Sequence, residues 1–148
     1  MSWARCDLGH VHWGPRGAAG LLVAEGGRLL LQLRATWAHQ GGTWSVPGGA
    51  RERGETGVEA ALREAGEELG LAPDAVDVRG SSMADCGGWT YETVLAVPYG
   101  VLELRDRAES DGHEWFASAD VSALPLHPAF RKAWDAAESP LREFVATS

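Results

Sequence analysis

The stretch from Gly49 to Leu71, GARERGETGVEAALREAGEELGL, constrains this chain more than any other. Glu64, Glu67 and Glu68 stand at the i, i+3, i+4 spacing. On a helix, at ~100° per residue, they fan over about 100° of one side. Val58, Leu62, Ala65 and Leu69 fall on another side, free to pack on a core. Three carboxylates on one face repel one another. The arrangement is costly unless a cation sits among them, and a hard ion such as Mg²⁺ takes oxygen ligands. Both helix ends are marked. Thr56 with Glu59 forms a capping box, Gly70-Leu71 a Schellman-type stop, and Pro73 prevents resumption. Gly66, inside the helix, costs about 1 kcal/mol against Ala, which suggests that something approaches the backbone there.

Length and composition set the outer bounds. A chain of 148 residues suits one domain, here 1–148, with 1–16 and 139–148 expected to be irregular. No apolar run reaches the ~18 residues of a membrane span, and the N-terminus lacks the basic and apolar regions of a signal peptide. A cytoplasmic protein without a membrane partner is the expectation. Cys6 and Cys86 show no metal or redox spacing, and Cys6, His10 and His12 are too few for a closed zinc site. The formal net charge of −8 disfavours long nucleic acid, which is bound by clustered Lys and Arg. A single nucleotide remains compatible, because divalent metal bridges its phosphates to an acidic site.

Taken in order, Gly17 to Ala24 reads as a buried strand, Glu25-Gly26-Gly27 as a hairpin turn and RLLLQLR (28–34) as the partner strand. A loop covers 35–43. Trp44 to Val46 is a short strand, and Pro47-Gly48-Gly49 turns the chain toward the helix. Strands are expected within Ala75–Ala84 and over Trp89–Val97, then a charged loop over 105–112 and a last strand over Glu114–Ala117. A turn of helix starts at Ser118, and Pro128–Ala137 is the closing helix, with a frayed tail from Ser139. Periodicity alone supports mixed α and β.

The Gly49–Leu71 segment resembles the box of the Nudix hydrolase family, whose fixed positions are matched by Gly49, Glu55, Arg63, Glu64, Glu67, Glu68, Gly70 and Leu71. The resemblance implies an α/β fold, the Nudix α/β/α sandwich with a mixed β-sheet. It implies an enzyme that hydrolyses a nucleoside diphosphate linked to a further group, using Mg²⁺ with Mn²⁺ as a substitute. Glu64, Glu67 and Glu68 would be the metal ligands, joined by the Gly48 carbonyl. One of these glutamates or an acid from a separate loop would be the general base. Arg63 can reach Glu67 one turn on and hold it, while Glu55 pairs locally or assists the metal. Gly49 opens the box.

The lead-in resembles the MutT-like branch. Arg34 and His39 lie fifteen and ten residues before Gly49, where that branch faces its substrate. Arg34 is a candidate phosphate clamp. Glu109 and Asp111 are candidates for the extra acid that the branch places on a late loop. Trp37 and Trp89, among seven tryptophans, are candidates for stacking on a base. Marks of other subfamilies are not visible: Cys86 and Gly87 stand where an ADP-ribose enzyme has proline, and Tyr91 is late for a dinucleoside polyphosphate enzyme. By elimination the expected substrate is a (d)NTP or oxidised (d)NTP, giving nucleoside monophosphate and pyrophosphate. ADP-ribose or nucleotide-sugar hydrolysis is the alternative, and a non-catalytic nucleotide sensor the alternative of another class. The small nucleotide is the only partner expected, of a monomer or homodimer.

Overall fold

The structure, a computed structural model, describes residues 3–5, 11–13, 16–107 and 109–148, with backbone only for 3–5, 11–13 and Cys86. Cys6 and His10, and the side chain of His12, lie outside the described residues. Strands β1 (Trp3–Arg5) and β2 (Val11–Trp13) pair antiparallel, with Trp3 opposite Trp13. The first sixteen residues are therefore not irregular throughout.

The main sheet has seven strands. β3 (Ala18–Glu25) and β4 (Arg28–Arg34) form the expected hairpin, and β5 (Trp44–Ser45) lies beside β4. β6 (Gly48–Ala50) pairs antiparallel with the start of β3, so the expected Gly-Gly turn is extended and enters the sheet. β7 (Val76–Cys86) and β8 (Trp89–Pro98) form a long hairpin, and β8 runs parallel to β3. β9 (Ser110–Ala117) covers the outer side of β4. It begins four residues earlier than the sequence suggests, because Ser110, Gly112 and His113 pair with Arg34, Leu33 and Gln32 of β4. The sheet is mixed, as expected.

Helix α1 (Gly57–Leu69) packs on one face of the sheet. Ala60, Ala61, Ala65 and Leu69 meet Ala19, Leu21, Val23, Leu30, Val94 and Ala96. The buried stripe is centred on the alanines, with Val58 and Leu62 at its margin. On the opposite face, Leu22, Leu29, Leu31 and Leu95 meet Val121, Phe130, Trp134, Leu141 and Val145. The last four come from α2 (Pro128–Trp134) and α3 (Pro140–Thr147), whereas Val121 lies in a 3₁₀ turn over Ser118–Ala123. β3 thus buries both faces between helical layers, which accounts for its nearly unbroken apolar run. The tail from Ser139 is not frayed. Ser139 caps α3 by accepting from the Arg142 N–H, Pro140 opens the helix, and Leu141 and Val145 are buried one turn apart.

The sheet opens at one place. β3 and β4 pair only at their turn, through Ala24–Leu29 and Glu25–Arg28. Beyond it β3 turns to β6 and β4 to β5, so the two strands part and leave a gap beneath the C-terminal half of α1.

Candidate active site

The capping box closes at both ends: Glu59 N–H donates to Thr56 Oγ1, and Thr56 N–H to Glu59 Oε1. At the other end Gly70 is left-handed (φ 67°), as the Schellman stop requires. The helix therefore starts and stops where the sequence says, and its three glutamates take the expected face. Their surroundings differ sharply.

Glu68 is 6% exposed and fills the gap where β3 and β4 part. Its Oε1 accepts from Gln32 Nε2 of β4 at 3.0 Å and its Oε2 from the Gly48 N–H of β6 at 3.0 Å. Burial pushes its carboxyl up to about 8, aided by the nearby Glu64. Glu64, with a side chain 16% exposed, is also raised by burial, in spite of Arg63. Glu67 is 56% exposed. The face is thus graded from buried to open rather than uniformly solvated.

Arg63 organises the upper part of the site. Its Nε donates to Glu55 Oε2 at 2.7 Å and its Nη2 to Glu55 Oε1 at 3.0 Å. Its Nη1 reaches Glu64 at 3.0 Å and Glu67 at 3.3 Å, and Nη2 also donates to the Ala50 carbonyl at 3.0 Å. The i+4 contact to Glu67 is present, but the two-pronged bond to Glu55 is shorter and less exposed. It holds Glu55 well below the usual carboxylate range and Arg63 above its own. Glu55 is thereby committed to Arg63, not to the open side of the site.

Gly49 has a steric reason to be glycine. A Cβ there would lie 2.6 Å from Glu64 Oε1, so any side chain would expel the carboxylate. Gly57 is equally confined, by the carboxylate of Glu92 on β8. Gly66 is less confined: among the described residues outside its own helix, the Leu71 carbonyl at 3.4 Å is the one atom a Cβ there would meet, so the protein itself makes no close approach of the kind expected.

Arg34 lies beside this cluster. Its Nε donates to the His39 carbonyl at 2.8 Å, and its Nη2 stands 3.9 Å from Glu109. Its positive charge acts on both Glu68 and His127. Glu109 therefore belongs to the rim of the site. Asp111 does not meet it: the register slips between Leu33 and Arg34, leaving Asp111 unmatched and exposed in β9. Trp37 is 71% exposed on the 35–43 loop, and Trp89 is half-buried at the end of the β7–β8 hairpin.

Three neighbours escape a motif-based reading. Gln32 carries a signal, a polar residue inside an apolar strand. Tyr91 places its hydroxyl against Gly20 and Gly48, and burial raises its pKa. His127 has its ring centroid 6.4 Å from that of His39. Its Nδ1 accepts from the Ala129 N–H, which leaves the proton on Nε2, and burial pushes it down to about 4.

The donor set fits a cation that is only partly enclosed. Among the described residues, no three acidic, His or Cys side chains form a ready-made cage. Mg²⁺ rarely needs one: it keeps several waters and takes one or two carboxylates plus substrate phosphates. Two carboxyls raised by burial and a third open to solvent, all on one helical face, suit that mode.

Comparison with known proteins agrees with this geometry. The family profile of the NUDIX domain matches residues 14–137. A proposed 8-oxo-dGTP diphosphatase of Mycobacterium tuberculosis is 43% identical over 143 residues, which cover 89% of this chain and 66% of that protein. A nucleoside triphosphate pyrophosphatase/Nudix hydrolase fusion protein of Bifidobacterium longum is 37% identical over 142 residues, covering 89% of this chain and 30% of the fusion. The chain thus spans less than two thirds of the length of these relatives. The crystal structure of a Nudix hydrolase from M. smegmatis superposes with a TM-score of 0.85 at 41% identity, covering 99% of this chain and 95% of that one. With the profile spanning most of its length, and Arg63, Glu64, Glu67 and Glu68 of the box gathered on α1, this chain belongs to the Nudix hydrolase family.

Proposed function

We propose that the chain hydrolyses a nucleoside triphosphate, unmodified or oxidised on its base, to the monophosphate and pyrophosphate in a divalent-cation-dependent reaction. The observation that carries the cation-dependent hydrolysis is the graded set Glu68, Glu64 and Glu67, with Arg34 alongside as a fixed positive charge. The oxidised substrate is favoured by the name of the mycobacterial relative.

Mg²⁺, or Mn²⁺ in its place, would be held by Glu64, Glu67 and Glu68, with the Gly48 carbonyl as a further ligand. When bound it supplies neutralisation of the phosphate chain and acidifies water. The protein's part is positioning. Arg63, itself fixed by Glu55, holds Glu64 and Glu67. Gly48 and Gln32 hold Glu68. Arg34 offers a guanidinium to the phosphates, partly offset by Glu109 at 3.9 Å, and Glu109 would be the acid from a separate loop that takes a proton from water. Water adds across the α–β anhydride, its oxygen bonding to one phosphorus while the bridging oxygen leaves with the other. The released proton passes to a carboxylate. His39, Trp37 and Trp89 are left for base recognition.

The phosphate grip is common to all Nudix-type substrates, so discrimination rests with the base or leaving group. The test is kcat/KM for unmodified and 8-oxo triphosphates against ADP-ribose and nucleotide sugars, with pyrophosphate or phosphate as readout. A triphosphate is expected to lead. A hundredfold preference for ADP-ribose, about 2.7 kcal/mol of transition-state stabilisation, would overturn the triphosphate assignment. Tight nucleotide binding without turnover of any substrate would identify a sensor instead. With cation below saturation the rate is expected to rise with pH toward about 8, because cation binding must displace the proton that burial keeps on Glu68, and saturating cation should move that rise to lower pH.

A further inference from the structure

We propose that Gln32 is a positioning residue for the cation site: its Nε2–H holds the buried Glu68 carboxylate across the gap between β4 and β6, and its Oε1 accepts from a water that arrives with the cation. The inference rests on the cation-dependent reading of this site.

Gln32 is 1% exposed, in the middle of the strand RLLLQLR, where every other neighbour from Leu29 to Leu31 is apolar and fully buried. An amide in such a place costs free energy unless its groups are used. One is used, by the 3.0 Å bond to Glu68 Oε1. The other is not: Gln32 Oε1 is a buried side-chain atom without a hydrogen-bond partner among the described residues. It stands one amide width from the carboxylate that the site turns on.

A merely structural glutamine would use both ends, or be replaced by leucine like its neighbours. The arrangement makes sense if the second end is used only when the site is occupied. Glu68 needs such a hold. It is anchored on α1 but must fill a space bounded by two strands that have parted, and each of its oxygens is tied to one side of that space. Without Gln32 the carboxyl would lose its tie to β4 and keep only the Gly48 N–H and its neighbour Glu64, about which it could turn. Partners of this kind orient metal ligands, and their loss commonly weakens metal binding by about 10–100-fold.

The experiment compares wild type with Gln32→Met, which keeps the length and removes both amide groups. Mn²⁺ binding without nucleotide is followed by electron paramagnetic resonance, the melting temperature by calorimetry in EDTA, and kcat and KM at saturating cation. The expected result is Mn²⁺ affinity lower by about tenfold or more, kcat lower by about tenfold or more, KM for nucleotide within about threefold, and an unchanged or higher melting temperature in EDTA. A lower melting temperature with unchanged Mn²⁺ affinity and kcat would mean a structural role and overturn the proposal. Wild type that binds no Mn²⁺ would overturn the cation reading itself, and this proposal with it. If the variant does not fold, the side-chain amide of Gln32 in the wild-type chain decides by NMR. Protection from exchange and a shift on adding Mg²⁺ support the role, and an amide unmoved by Mg²⁺ overturns it.

Discussion

Glu68 and His127 show how one side chain can set a property of the whole chain. Without cation, the folded state keeps a proton on Glu68 up to about pH 8, whereas the unfolded chain releases it near pH 4.5. The folded state then binds more protons across that window, and its stability falls as pH rises through it. Glu68→Gln removes this loss. The variant should melt higher than wild type in EDTA at pH 8, by an amount that shrinks toward pH 5, while turnover drops at least about a hundredfold. Gln32 helps the substitution fit, since turning its amide lets Oε1 accept from the new side-chain N–H. Calorimetry in EDTA at both pH values checks the first part, and equal turnover would contradict the second. His127 acts in the opposite direction. The unfolded chain protonates it near pH 6.5 and the folded chain only near 4, so it lowers stability as pH falls between them. His127→Asn keeps a cap for α2 and should lose about 1 kcal/mol less than wild type between pH 7 and 5, after discount for its partial exposure. Denaturant titrations at the two pH values measure the difference.

At the scale of elements, what the sequence disclosed depended on how local the cause was. The box helix was legible because its start, stop and burial are decided within thirteen residues and two caps. The β3–β4 hairpin was legible because Gly26 and Gly27 both have positive φ, as the turn requires. α3 carried equally local signals in Ser139, Pro140, Leu141 and Val145, but nearness to the chain end outweighed them. The buried partner of Leu141 is the far face of β3 and β4, which no local pattern announces. The same holds for the site. Glu64, Glu67 and Glu68 were readable from spacing, whereas the grading of their burial comes from the parting of two strands, a long-range event. Arg63 pointed to Glu67 by periodicity and bonds more closely to Glu55, eight residues back, because the loop before the helix folds over it. α3 offers a direct check: Leu141→Ala should cost about 2–4 kcal/mol, as burial in a full core predicts, where a frayed tail would cost almost nothing. Urea titration separates the two.

For the whole molecule, the acidic balance and the cation site are coupled. A formal charge of −8 raises the cost of leaving carboxylates ionised and uncompensated. Mg²⁺ at about a hundred times its dissociation constant should add about 2.7 kcal/mol to stability, which for a chain of this size corresponds to roughly 6–10 °C in melting temperature. The gain should be larger at pH 8 than at pH 5.5, because protons compete for the same oxygens. Chelation should reverse it, and Glu64→Gln should halve it or more. Among the described residues no helix is long and apolar enough to cross a membrane.

The connection from β8 to β9 is not an independent flap. The Arg105 N–H donates to the Leu69 carbonyl and the Arg107 N–H to the Glu68 carbonyl, so this connection satisfies the last two carbonyls of α1, beyond those the Schellman stop takes. Surface connections ordinarily absorb insertions at little cost. Here that freedom is divided. Extra residues placed at the exposed Gly100 and Val101, before Leu102 packs on the core, should leave both bonds in place, whereas a single residue added between Arg105 and Arg107 should break the register and disturb the backbone that carries Glu68. Within one loop, the first half is open to evolutionary experiment and the second is bound to the chemistry.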